Sequence, residues 1–167
     1  MRAIFAEYWP RGEEGAKNRQ LPSKRGRAKP LDMVRITGGY QGDLNCTAVH
    51  TSSGTLISTD APKDNQGKGE AFSPTDLVAA AFATCIATTM AMVARRHSVE
   101  LAGLRYEVTK EMSSNAPRRI SRLTVQLWMP AAAKQLPSGL MEETARSCPV
   151  HVSLAPEVEK VIQIHWA

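Results

Sequence analysis

The chain has 167 residues, an ordinary apolar fraction of 43% and three cysteines, which is enough for one domain with a real core and too few cysteines for a secreted disulfide scaffold. Its net charge of +5 suggests nucleic acid only until it is divided: residues 1–32 hold eight Lys/Arg against four Asp/Glu, and residues 33–167 hold thirteen against twelve. The body of the chain has no evident phosphate-binding bias, so neither a nucleic acid nor a membrane is an expected partner.

Residues 1–32 read as a basic, disordered N-terminal extension, with three prolines, three glycines, dense charge and no sustained apolar period. A start codon assigned upstream of Met33 gives the same pattern. A nucleic-acid arm built on Lys24, Arg25, Arg27 and Lys29 is the weaker alternative. Arg2, Arg11, Glu13 and Glu14 interrupt any apolar run of the signal-peptide kind, and the cysteine usage fits a reducing cytoplasm. Residues 33–167 read as a single domain.

From Met33 the pattern becomes periodic. Val34 to Thr37 alternates, Gly38-Gly39 and Gln41-Gly42-Asp43 supply turn chemistry, Leu44 to Thr51 alternates again, and Ser53-Gly54 turns into Thr55 to Thr59. This predicts a small antiparallel meander. Asp60 to Phe72 is a polar loop of 13 residues, a length more often functional than idle. A helix is predicted from Ser73 to about His97: Ser73 suits the N-cap, Pro74 the first turn, and Asp76 can return the capping hydrogen bond. Arg95, Arg96 and His97 complement its negative end. Within it, Leu77 to Ala94 is 18 residues without a charge, the lower limit for a membrane span, but seven are Ala and three Thr, which predicts a core helix buried on nearly every side. A chain this short struggles to surround such a helix, and a second subunit would complete the cover.

Gly103 to Met112 and Arg119 to Met129 read as strands joined at Asn115-Ala116-Pro117. Leu136 to Ser147 has helical spacing, Pro149 opens a short helix to Leu154, and Val158 to Trp166 alternates as a last strand. The predicted order is βββ-α-ββ-α-α-β, an α+β arrangement.

Two cysteines occupy complementary settings. Cys148 precedes a proline, so it avoids helical backbone and caps the helix that follows. Unpaired N–H groups there favour a thiolate, and His151 and Arg146 can add to that. Cys85 sits in the uncharged helix, where desolvation alone would leave it inert. Val78, Ala81, Phe82, Thr88 and Thr89 share its helix face, and none is cationic. Cys46 with His50 is at most half a metal site, since zinc needs four ligands with closed spacing, and a buried strand cysteine is the expected reading.

The segment SPTDLVAAAFATC, with CPVHVSL placing a second cysteine 63 residues after Cys85, resembles the OsmC/Ohr family of thiol peroxidases over roughly Met33 to Trp166. The approach GKGEAFSPTDL is similar to the broader OsmC-like branch more than to the organic-hydroperoxide resistance branch. The resemblance implies an OsmC-like fold in which antiparallel sheets wrap a long buried central helix, in an intertwined homodimer with the active site at the interface. It implies Cys85 as the peroxidatic and Cys148 as the resolving cysteine. It also implies a hydroperoxide substrate, organic or hydrogen peroxide, an external dithiol reductant, and no metal, haem or flavin. The family also uses an arginine from the first hairpin and a glutamate after the helix-opening proline, and those positions here hold Tyr40 and Thr75. Tyr40 as a donor to a peroxide oxygen, Glu70 as a replacement carboxylate, and Arg35 as a charge from the first strand are the candidate substitutes. Two functions follow: a two-cysteine thiol peroxidase of oxidative-stress defence, or a non-enzymatic stress protein or small-molecule binder that keeps the fold and turns over little.

Overall fold

The computed structural model describes residues 33–167, and the basic extension expected over residues 1–32 lies outside them. Three strands open the described chain: β1 (Ile36–Gly42), β2 (Asn45–His50) and β3 (Leu56–Asp60), antiparallel in that order. Gly38 and Gly39 do not turn the chain, as the sequence had suggested, but lie inside β1. The reason is close approach: a Cβ on Gly38 would stand 2.1 Å from the Thr47 carbonyl oxygen of β2. The turn falls instead at Asp43 and Leu44, both with positive φ, where the Leu44 N–H donates to the Tyr40 hydroxyl at 3.2 Å.

Among the described residues no helix packs substantially on this sheet. Ile36 and Tyr40 are each 66% exposed, and Cys46, expected to be buried, is exposed for the same lack of cover. The loop after β3 is drawn shut by buried Asp60, which accepts from the Glu70 N–H at 3.0 Å and the Asn45 amide at 3.4 Å.

The sequence signals at Ser73 produce the expected start of α1 (Pro74–Arg96): Ser73 Oγ accepts from the Asp76 N–H and Asp76 Oδ2 from the Ser73 N–H, a reciprocal capping box. The helix lies on a second sheet, β4 (Arg105–Met112), β5 (Ile120–Trp128) and β6 (Glu159–His165), ordered β4-β5-β6. Alternation on β5 aims Leu123, Val125 and Leu127 at the core, where they meet Phe82, Ile86 and Met90 of α1. β4 and β5 are antiparallel, but β5 and β6 are parallel, which corrects the expectation of purely antiparallel sheets. Parallel neighbours need a crossover, and the chain supplies one through α2 (Leu140–Arg146) and α3 (Pro149–Ser153), both packed on α1.

Helix α1 is not enclosed on nearly every side by the other described residues. Its buried face is Ala79, Phe82, Ala83, Ile86, Met90 and Ala94, while Ala81, Thr84, Thr88 and Met92 are exposed. One three-stranded sheet and two short helices cover only one side of a cylinder. Ile86→Ala removes a fully buried side chain from the covered side and is expected to cost about 3 kcal/mol in urea unfolding; a loss below about 1 kcal/mol would show that this face is not the core.

Candidate active site

Cys85 lies midway along α1, half-buried, at the boundary between the covered and open faces rather than inside a closed apolar pocket. Cys148 comes from the start of α3. Its backbone is extended (φ −63°, ψ 144°), as a residue before proline requires, and its sulfur accepts from the His151 N–H at 3.3 Å. It is fully buried. The packing of α3 on α1 brings Cys148 beside Cys85, close enough for Cys85 to act on the Cys148 thiol. Both are free thiols.

Burial pushes the Cys148 thiol above its usual range, the His151 N–H opposes this, and the adjoining Cys85 adds to the rise. The expected helix-start thiolate is therefore corrected: α3 has only five residues, and the His151 and Val150 N–H groups do not offset burial. His151 acts on the sulfur through its backbone. Its ring packs on Phe82, with centroids 5.9 Å apart, and burial, then Lys160 and Arg146, keep it below the ordinary imidazole range.

The remaining sequence candidates separate. Tyr40 belongs to the uncovered sheet, where its hydroxyl is engaged by Leu44, and Arg35 immediately precedes β1, its carbonyl accepting from Thr51. Neither is brought to the thiols within the chain. Glu70 and Asp76 line an open groove of about 570 Å³ with Phe72, Ala80, Val108 and Lys110; Cys85 and Cys148 are not among its lining residues. Cys46 is exposed, and the His50 ring is held between Ser52 and Ser53, at 2.9 and 2.7 Å. Among the described residues no three or more His, Cys, Asp or Glu side chains cluster as metal ligands.

Thr75 carries a partner that the sequence reading missed. The Lys110 ammonium, on β4, donates to Asp76 Oδ1 at 2.6 Å, Thr75 Oγ1 at 2.7 Å and Ser73 Oγ at 3.4 Å. A cation at a positive helix end is unfavourable alone, and Asp76 offsets it. Burial would raise the Asp76 carboxyl, but hydrogen bonds from Lys110 and Ser73 hold it below the usual carboxylate range. A signal was present: Tyr106, Val108 and Lys110 fall in one phase of β4, so the lysine follows the strand's inward positions.

The OsmC-like protein family model matches residues 67–162, which include both thiols and the Lys110 cluster. The chain belongs to the OsmC-like family. Among solved OsmC-like structures, one from Psychrobacter arcticus, described as an osmotic stress induced and detoxification response protein, is 39% identical, with 82% of this chain and 98% of that one covered and a TM-score of 0.71. Organic hydroperoxide resistance proteins from Legionella pneumophila (15% identity, 82% and 99% covered, TM-score 0.65) and Elizabethkingia anophelis (15%, 84% and 100%, TM-score 0.67) share the OsmC-like fold. No curated protein matches the chain significantly.

In this OsmC-like chain Lys110→Met leaves Asp76 without its cation and is expected to cost about 1 kcal/mol, a figure discounted for the partial exposure of Asp76. Because the folded Asp76 carboxyl sits low, its contribution is present above the ordinary aspartate range and lost as pH falls through the lowered value. Urea unfolding should show the gap between wild type and Lys110→Met closing at acid pH.

Proposed function

We propose that the protein is a two-cysteine, thiol-dependent peroxidase that reduces hydroperoxides, organic or hydrogen peroxide, in cytoplasmic defence against oxidative stress. The observation that carries this reading is the meeting of the Cys85 and Cys148 side chains, from segments 63 residues apart. Its structural neighbours among organic hydroperoxide resistance proteins support the substrate class.

Cys85 is the peroxidatic residue: half-buried on the open side of α1, it is the more accessible of the two thiols. Its thiolate attacks one peroxide oxygen, the O–O bond breaks, and the alcohol or water leaves with a proton, producing a sulfenic acid. Cys148, buried and protonated beside it, is the resolving residue. Its sulfur displaces hydroxide from the sulfenic acid, a disulfide forms and water departs. An external dithiol then returns both sulfurs to thiols. None of these steps calls on a metal, haem or flavin.

A homodimer belongs to the same reading. The open face of α1, with Met92 53% exposed, and the uncovered first sheet both leave apolar surface for a second copy to cover. The closed hydrogen bonding of Thr75, Asp76 and Lys110 favours a second reading, a non-enzymatic binder of small molecules, because that cluster offers no free charge to activate a thiol.

Dithiol-dependent consumption of hydrogen peroxide and of a bulky organic hydroperoxide separates the readings: turnover with either supports the peroxidase, and none with both leaves the binder. Cys85→Ser should abolish consumption. Cys148→Ser should leave a Cys85 sulfenic acid that a selective probe captures, and Cys46→Ser should change neither behaviour. Mass spectrometry after one equivalent of hydroperoxide should find a Cys85–Cys148 disulfide, and its absence would sink the mechanism. Sedimentation at micromolar concentration should show a dimer; a stable monomer would contradict the assembly.

A further inference from the structure

We propose that residues 61–72 form a hinged flap, latched by the Asp64–Arg118 ion pair, that sets access to the groove beside the first turns of α1. The flap is held at both ends by buried residues, Asp60 at the close of β3 and Ser73 at the N-cap of α1. The Asp60 N–H donates to the Phe72 carbonyl at 3.1 Å, which pinches the two limbs together at the base. Within the loop, the Asn65 and Gly67 N–H groups donate to the Pro62 carbonyl at 2.8 and 3.1 Å, and the Gly69 N–H to the Ala61 carbonyl at 3.3 Å. Gly67 is required there, because a Cβ would overlap the Ala61 carbonyl. A closed loop that satisfies its own backbone in this way can move as one body.

Its ties to the rest of the domain are few and exposed. Lys68 reaches Asp43 at 3.7 Å, on the sheet from which the flap springs. Asp64, in the short helical turn Lys63–Asn65, accepts from the Arg118 guanidinium at 2.8 Å. Among the described residues this is the flap's one hydrogen bond or ion pair to the second sheet or its turns. The catch itself is firmly built. In the turn between β4 and β5 the Ser113 N–H donates to the Arg119 carbonyl at 2.8 Å, and Ser113 Oγ accepts from the Arg119 N–H at 3.1 Å. A stiff flap and a stiff turn therefore meet through one exposed pair, a contact weak enough to break and remake.

The flap matters because its return limb, Gly69 to Phe72, lines the groove of about 570 Å³ together with Ala80 of α1 and Val108 of β4. Lys110 and Asp76 also line it, but they bond to each other, so the groove suits a small apolar guest. Release of the latch moves the limb and leaves the helix and strand in place, which widens the groove from one side. Neither thiol lines it, so the flap operates whether or not the two-cysteine function holds.

NMR of the full chain, with a neutral nitroxide radical as the probe of access, tests the latch and the hinge separately. Arg118→Gln should raise the relaxation caused by the nitroxide at the Val108 and Ala80 methyls, as the open population grows about two- to five-fold. The Asn65, Gly67 and Gly69 amides should exchange as slowly as in wild type, because their bonds lie inside the flap. Raising NaCl from about 0.05 M to about 0.5 M should open the wild type in the same way, since exposed pairs are screened, and it makes the comparison if the variant does not fold. The exchanged pair, Asp64→Arg with Arg118→Asp, should return the groove to wild-type access. Unchanged access on breaking the pair, or an exchanged pair that stays open, would overturn the latch. Loss of protection at Gly67 and Gly69 together with the gain in access would overturn the hinge, since the loop would then unfold and not swing.

Discussion

The structure depends on how one apolar helix of 23 residues is held at its N-terminal end. The first turn of α1 has donors without helical partners, and Ser73 and Asp76 satisfy two of them reciprocally. Lys110 then ties the same turn to β4, so helix and sheet share one polar fastening beside an otherwise apolar contact. Everything further along α1 inherits its position from this end. Phe82, Ile86 and Met90 meet the sheet at successive turns, and Cys85 is fixed in azimuth between them and the open face.

A second constraint comes from the parallel pairing of β5 and β6. It obliges the chain to cross over the sheet, and the crossover is the segment that carries Cys148 to α1. The proline after Cys148 stops the preceding helix and starts α3 with the sulfur inside the interface. Topology, more than local propensity, therefore makes the two thiols neighbours.

Much of this was legible in the residues. Ser-Pro-Thr-Asp announced the capped helix within a residue of its true start, the Cys-Pro step announced an N-cap, and the alternation of β5 named its buried positions. The sites that misled share a cause: each depends on what lies opposite in space. Gly38 and Gly39 have turn composition, but both pair with β2, and Gly38 lies against the Thr47 backbone on that strand. Cys46 has the composition of a buried position on a sheet that the other described elements do not cover. Parallel pairing leaves no mark on the alternation of β6. Lys110 stood in an inward phase and was passed over because charge is expected outside, and the state of Cys148 was misjudged because a sequence displays the helix start but not the depth of burial around it.

The tethering of α3 between two strands has a consequence for selectivity. A segment anchored at both ends can swing but cannot drift, so Cys148 meets Cys85 as an intramolecular partner at high effective concentration. A freely diffusing thiol is bimolecular and competes poorly with a thiol held on the same chain. On the two-cysteine function proposed above, the crossover is a kinetic filter that steers oxidation into the internal pair before mixed disulfides with outside thiols form.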